Sequence, residues 1–324
     1  MRILILMLLA GSAWAGDTAI YNVSGYTSTN SGIQEFTVLV FSDKGKVVAT
    51  GDASLLNEHP DAIRIDGNGR TLLPGLTDGH AHLSGYGFLQ RSLDLFGTPS
   101  VEDAVDRIKA YADANPHSAW IQGRGWNQVI WPVQEFPTAA DIDAVVADRP
   151  VWLRRVDGHA GWANTMALEM AGITDDTPDP IGGKIVRDDN GKATGVLIDK
   201  AMGLVGDKIP APDKDEIREI YRAAIAGLLP YGMTGMHDAG INIDEAEVLI
   251  SMADDGELGM RVYAMLRGAG ENLDKMGKPL KRYAEDRLDI RSVKIYSDGA
   301  LGSRGAAMIE PYSDDPENRG LPFY

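Results

Sequence analysis

His80 and His82 stand two residues apart and are the side chains of this sequence best placed to share a metal ion. Alternate residues of an extended strand point to the same side, so both rings can face one ion if the run Leu72 to Thr77 leading into them is a buried strand. Gly79 and Ala81 leave room for the rings, and Pro74-Gly75 breaks the chain just ahead. Imidazole needs further ligands and an orienting set of hydrogen bonds to bind metal, so the pair alone also reads as a polar strand end. The chain has no cysteine, which leaves His, carboxylates or a modified side chain as metal ligands and rules out disulfides. Lys294, in the apolar run Ser292 to Tyr296, is the other residue in an unusual setting. A lysine in a buried type of strand must find a counter-charge, lose its proton, react, or snorkel to water.

The elements that position these residues fall into three stretches. Ala19–Val23, Phe36–Phe41 and Lys46–Thr50 read as short strands, the last two joined by a hairpin turn at Asp43-Lys44-Gly45. Residues 16–70 are therefore expected to form an antiparallel sheet abutting a second domain, with 71–83 as the His-x-His strand. From Ser84 to about Pro212 the chain is too long for one loop and must be an insertion with its own structure. In it, Val101–Asn115 has helical spacing, Trp120–Asn127 and Val151–Val156 read as strands ending in polar loops, and Asp188-Asp189-Asn190-Gly191 is a tight turn between short strands. From 213 to 324 strands and helices alternate. Lys214–Leu229 is an amphipathic helix stopped at Pro230-Tyr231-Gly232, and Met233–Met236 is a strand ending in His237-Asp238. Ala246–Met252 is a helix, and Arg261–Leu266 and Ser292–Tyr296 are strands. That alternation is the pattern of a parallel barrel, which carries its reactive groups at the carboxyl ends of strands. His80, His82, Asp238, Lys294 and Asp298 all fall near such ends.

Composition narrows the partners. Of 324 residues 44% are hydrophobic, an ordinary share for a globular enzyme, and the formal charge of −16 argues against nucleic acid. Arg2, the apolar run Ile3–Ala10 and Ala13-Trp14-Ala15 have the form of a secretory signal peptide over residues 1–15, too short to span a bilayer. The expectation is a protein secreted or periplasmic after cleavage, with no membrane association, a small-molecule substrate as partner, and a homo-oligomer left open.

Four motifs carry a family resemblance. Leu73-Pro-Gly-Leu-Thr-Asp-Gly-His-Ala-His-Leu83 resembles the first-strand signature of the amidohydrolase superfamily of metal-dependent hydrolases. Val156-Asp-Gly-His-Ala160, Gly232-Met-Thr-Gly-Met-His-Asp-Ala-Gly240 and Val293–Gly305 resemble the YtcJ-like branch, amidohydrolase family 3. The resemblance implies a (β/α)8 TIM barrel, with residues 16–70 as the first part of a small β-sandwich. It implies that His80 and His82 hold a divalent metal, zinc by preference, as one or two ions. Lys294 then matches the lysine that relatives carboxylate to bridge two metals, and Asp298 joins it as a catalytic candidate. Trp126, Asn127 and His159 become candidates for shaping the substrate pocket, Asp238 for substrate or supporting contacts beside His237, and Arg304 for gripping an anionic group.

Only about four barrel strands can be counted once the insertion is set aside, against the eight a closed barrel needs. The family places further metal-binding histidines after its fifth and sixth strands and an aspartate after its eighth, and no histidine follows His237. The chain thus resembles the N-terminal portion of a longer protein, with an open sheet exposing apolar surface. The expected function is hydrolysis of a non-peptide carbon–nitrogen bond, an amide or N-acyl amine, by metal-activated water. The alternatives are a non-catalytic truncated homologue that at most binds metal or a partner, and an esterase or lactonase on the same fold.

Overall fold

The computed structural model describes residues 16–298, 306–313 and 316–320, and these divide at Leu76/Thr77 into two compact units. The expected signal segment 1–15 and Arg304 lie outside the described residues.

In the first unit, β1 (Thr18–Thr29), β2 (Gly32–Phe41) and β3 (Val47–Gly51) form an antiparallel meander. Gly45 takes a positive φ of 68° in the turn between the last two strands. The short helix α1 (Leu55–Glu58) then carries the chain back, so that β4 (Ile63–Asp66) and β5 (Thr71–Leu72) run parallel to β1. The sheet is therefore mixed rather than antiparallel throughout, because a crossover, not a hairpin, joins β3 to β4. Ala19, Val38, Val40 and Ala62 are its buried core.

The second unit contains two sheets. One has five strands in the order β15-β16-β14-β13-β6, where β6 is Leu76–Ala81, β13 Met233–Ile241, β14 Arg261–Arg267, β15 Leu280–Arg282 and β16 Leu288–Lys294. Strands β13, β14 and β16 are mutually parallel. Helix α2 (Leu83–Arg91) follows β6, while α7 (Lys214–Leu228) and α8 (Ile243–Asp254) flank β13 in sequence. Helix α7 starts under the Asp213 carboxylate, which accepts the Glu216 N–H at 2.9 Å, and α8 starts with a reciprocal Asn242/Glu245 capping box. Met236, Val262, Ala264, Leu266, Leu288 and Ile290 bury one side of the sheet against Tyr221, Ala224 and Ile225 of α7 and Ala246, Leu249 and Met252 of α8.

The insertion is the other sheet, six strands in the order β11-β12-β10-β9-β8-β7. Its members are β7 (Leu93–Asp94), β8 (Ile121–Trp126), β9 (Val151–Arg155), β10 (Ala160–Ala163), β11 (Gly183–Arg187) and β12 (Ala193–Asp199). It carries helices α3 (Val101–Ala114), α4 (Ala139–Asp143), α5 (Thr165–Ala171) and α6 (Gly203–Gly206). Both faces are covered. Odd positions of β8 and β9, Ile121, Val151 and Leu153, pack with Trp126, Trp162 and Ile108 of α3; Trp120 and Trp152 pack instead with Leu168 of α5 and Val205 of α6.

Three expected boundaries move. Strand β13 continues through His237-Asp238 to Ile241, because its ladder with β14 runs on past Asp238. Strand β16 begins four residues before Ser292 and ends at Lys294, leaving Ile295 and Tyr296 exposed beyond it. The His-x-His strand is not buried. Strand β6 lies at a sheet edge with one neighbour, and all but its last residue are exposed.

Candidate functional site

Strand β6 delivers His80, and its successor His82 occupies the N-cap position of α2. Asp78 shapes the approach by accepting the His80 N–H at 2.9 Å. The two imidazole centroids are 5.9 Å apart at an interplanar angle of 86°. A bound imidazole centroid lies roughly 3 Å from its metal, given a bond of about 2.0–2.1 Å, so this separation lets both rings reach one ion. Neither ring has a hydrogen-bond partner among the described residues, and His82 makes no side-chain cap bond to its own helix. Two free imidazoles at one strand end fit a divalent metal as part of a ligand set. Among the described residues no group of three or more His, Cys, Asp or Glu closes around them.

Asp238 lies beneath the start of α2, 1% exposed, with its Oδ2 buried without a hydrogen-bond partner. Burial pushes the Asp238 carboxyl up to about 7; the Leu83 N–H opposes this, the Glu245 charge adds to it, and Arg267 opposes it. The neighbouring Tyr221 hydroxyl is buried with no partner, and burial raises it well above its ordinary value. Asp238 is thus no surface contact for substrate: it lies with Met236 on the helix-covered side of β13, whereas His237 pairs across with Tyr263 on the opposite side, ring centroids 4.9 Å apart.

Lys294 ends β16 opposite Arg267, and its ammonium stands 5.1 Å from the centre of the Tyr296 ring. Its stem runs beside Gly240, where an added Cβ would sit 3.6 Å from Lys294 Cγ. Four residues on, Asp298 accepts the Ser297 hydroxyl at 3.1 Å and the Ala307 N–H at 2.9 Å.

The pocket candidates separate. Trp126 is fully buried, its indole N–H donating to the Leu153 carbonyl at 2.8 Å, so it is a core residue rather than a pocket wall. It packs with Trp131, Phe136 and Trp162, because β8 turns its last residue toward the interior. Asn127 spends its carbonyl oxygen on the Val129 N–H and the Arg155 guanidinium. His159 is exposed and pairs through Nδ1 with Asp199 at 2.8 Å.

Sequence reasoning passed over the cleft beside His82. A cavity of about 680 Å³ is lined by His82, Tyr86, Phe88 and Leu89 on α2 and by Gln122, Arg124, Trp152 and Arg154 on β8 and β9. Gln122, Arg124, Trp152 and Arg154 project from one sheet face: Gln122 pairs with Trp152 and Arg124 with Arg154 in the parallel register. The signal was present as two arginines at matching positions of two otherwise buried strands, but only the register shows that they are neighbours. Helix α2 reaches this place by a close approach to α7, since a Cβ on Gly87 would lie 2.0 Å from the Ile220 carbonyl oxygen.

Residues 64–323 match the model of a family described as the amidohydrolase family. YtcJ of Bacillus subtilis strain 168, itself a provisional amidohydrolase, is 33% identical over 91% of this chain and 56% of its own length. N-substituted formamide deformylase of Arthrobacter pascens is 31% identical over 70% of this chain and 43% of its own. Among solved structures, an uncharacterized metal-dependent hydrolase from Pyrococcus furiosus superposes with a TM-score of 0.77 at 26% identity, covering 95% of this chain and 62% of that one. The chain therefore spans less than two thirds of the length of each of these relatives.

Proposed function

Because this chain belongs to the amidohydrolase family, we propose that it supplies the first part of the active site of a metal-dependent hydrolase acting on a non-peptide carbon–nitrogen bond, an amide or N-acyl amine. The observation that carries this reading is the His80–His82 pair, two unpartnered imidazoles 5.9 Å apart at the end of β6.

In this reading His80 and His82 would hold the metal, zinc by preference, and Lys294, if carboxylated, would be a further ligand. A divalent ion there supplies Lewis acidity to the scissile carbonyl and to water. The protein side of the chemistry is positional. Asp238 lies under the helix start that carries His82, and Asp298, whose carboxylate accepts the Ala307 N–H, is the catalytic candidate that follows Lys294. Residues 16–70 form the first part of the sandwich, 84–212 the insertion, and 213–324 part of a (β/α)8 barrel. We place the protein outside the cytoplasm on the form of residues 1–15. The deformylase relative, whose name states a carbon–nitrogen bond as its target, supports the amide over an ester or lactone.

The test is elemental analysis after zinc loading and dialysis, beside turnover of a panel of N-acyl amines. His80→Ala and His82→Ala are each expected to lower bound zinc at least tenfold and remove any turnover. Unchanged zinc content and unchanged turnover in both variants overturn the reading.

A further inference from the structure

We propose that the cleft between α2 and the β8–β9 face is a binding site for the carboxylate of an anionic amide substrate, gripped by Arg124 and Arg154. The assignment rests on the hydrolase reading only for where the scissile bond sits, at the His82 end of the cleft.

The charge pattern is the first argument. The chain carries a net charge of −16, yet among the described residues lining this cleft there are two arginines and no acid. Arg124 and Arg154 are register partners on adjacent parallel strands, so their backbones are about 4.8 Å apart. Like charges placed directly opposite destabilise a sheet, and a fold under no other demand would pair or replace them. Neither arginine forms an ion pair among the described residues. Arg124 donates one N–H to the Val156 carbonyl at 3.2 Å and lies over the Phe96 ring, while its Nε is buried without a partner. Arg154 is exposed to the cleft. Asp94 is next in the same row on β7; its Oδ1 accepts the Phe96 N–H, and among the described residues it forms no ion pair with either guanidinium. An incoming anion would remove the repulsion and complete the hydrogen bonding, as a guanidinium matches a carboxylate in a two-point fork.

The second argument is what surrounds the charges. Phe88, Leu89, Trp152 and Ile209 give the cleft apolar walls, and its volume of about 680 Å³ suits an organic molecule rather than an inorganic ion. His82, Gly85, Tyr86 and Leu89 follow one another along one face of α2, so the α2 wall of the cleft includes the metal candidate, and Arg124 and Arg154 line the same cleft. The substrate class is thus an amide whose body is apolar and which bears a carboxylate away from the bond to be cut.

The probes are N-benzoylglycine and its neutral counterpart N-benzoylglycinamide, titrated calorimetrically into the protein in chelator-containing buffer, so that binding is read without turnover. The carboxylate is expected to bind about tenfold more tightly at low salt, an effect of the size of one charged hydrogen-bonded pair, and to lose much of that margin in about 0.5 M salt. Arg154→Gln, at an exposed position, should shrink the ratio toward one, with Arg154→Lys retaining part of it; Arg124→Gln serves as the second variant. Equal affinities in the wild type, absence of binding by either probe included, or a ratio that survives both Arg→Gln changes, overturns the assignment. Zinc-dependent cleavage of neutral amides without a carboxylate preference sinks the cleft assignment and leaves the hydrolase reading standing. A preference without cleavage of any amide at any metal loading does the reverse.

Discussion

The backbone N–H of Leu83, at the start of α2, acts on the buried Asp238 carboxyl in the middle of β13 and favours its charged form against burial. The relationship joins two segments far apart in sequence at the point where His82 leaves its strand. It also places a carboxylate where water barely reaches, 1% exposed, near Glu245 and under the unpartnered Tyr221 hydroxyl.

That burial has a pH signature. The Asp238 carboxyl titrates near 7 when folded and near its ordinary 3.8 when unfolded. The folded state therefore holds a proton that the unfolded state has released, and the stabilisation, complete below 3.8, drains away as pH rises toward 7. Between pH 5 and pH 8 the wild type should lose roughly 3 kcal/mol relative to Asp238→Asn, at about 1.4 kcal/mol per unit. Urea unfolding of both proteins at the two pH values measures it; parallel pH dependences would count against the buried-acid account.

Trp126 should report on stability and not on substrate. Trp126→Ala empties the centre of the insertion core and is expected to cost about 3–5 kcal/mol. Trp126→Phe keeps much of the volume but strands the Leu153 carbonyl, for about 1–3 kcal/mol. Thermal melts give the costs, and calorimetry with N-benzoylglycine gives the contrast: an affinity change larger for Trp126→Phe than for Arg154→Gln would restore Trp126 to the pocket.

Gly87 sets how near α2 comes to α7. Gly87→Ala places a Cβ 2.0 Å from the Ile220 carbonyl oxygen unless the helices part, so a loss of about 1–3 kcal/mol is expected. Parting the helices also shifts the α2 wall of the cleft. A Gly87→Ala protein as stable as wild type would show that this approach is easily relaxed.

Much of this was legible in the sequence where the signal was local. The amphipathic spacing of Lys214–Leu229 and the turn at Asp188–Gly191 both correspond to observed elements, α7 (Lys214–Leu228) and the β11–β12 connection. The His-x-His run announced a strand end, but its burial could not be read, because burial depends on which strands lie alongside. Asp238 looked like a residue at the mouth of a site because the strand was expected to stop before it; three more residues of ladder turn it toward the helices instead. Trp126 sits in a Gly- and Arg-rich segment that reads as a polar loop, yet a register shift between Arg124 and Trp126, with Gly125 at a positive φ of 111°, sends its ring inward although it stands only two residues beyond Arg124. Cross-strand neighbours such as Arg124 and Arg154 are set by register, a long-range property that spacing along one segment does not encode.

The two-sided insertion sheet has one further consequence, for how this scaffold can change. In β8 and β9 the odd positions, Ile121, Val151 and Leu153, hold one core, while Gln122, Arg124 and Arg154 meet the cleft beside Trp152, which also packs in the second core. Recognition and folding are thus written on alternate letters of the same strands. Substituting the exposed Arg154 can retune what the cleft accepts at little risk to the core, whereas inserting or deleting one residue in β9 would swap the two sets and lose both at once.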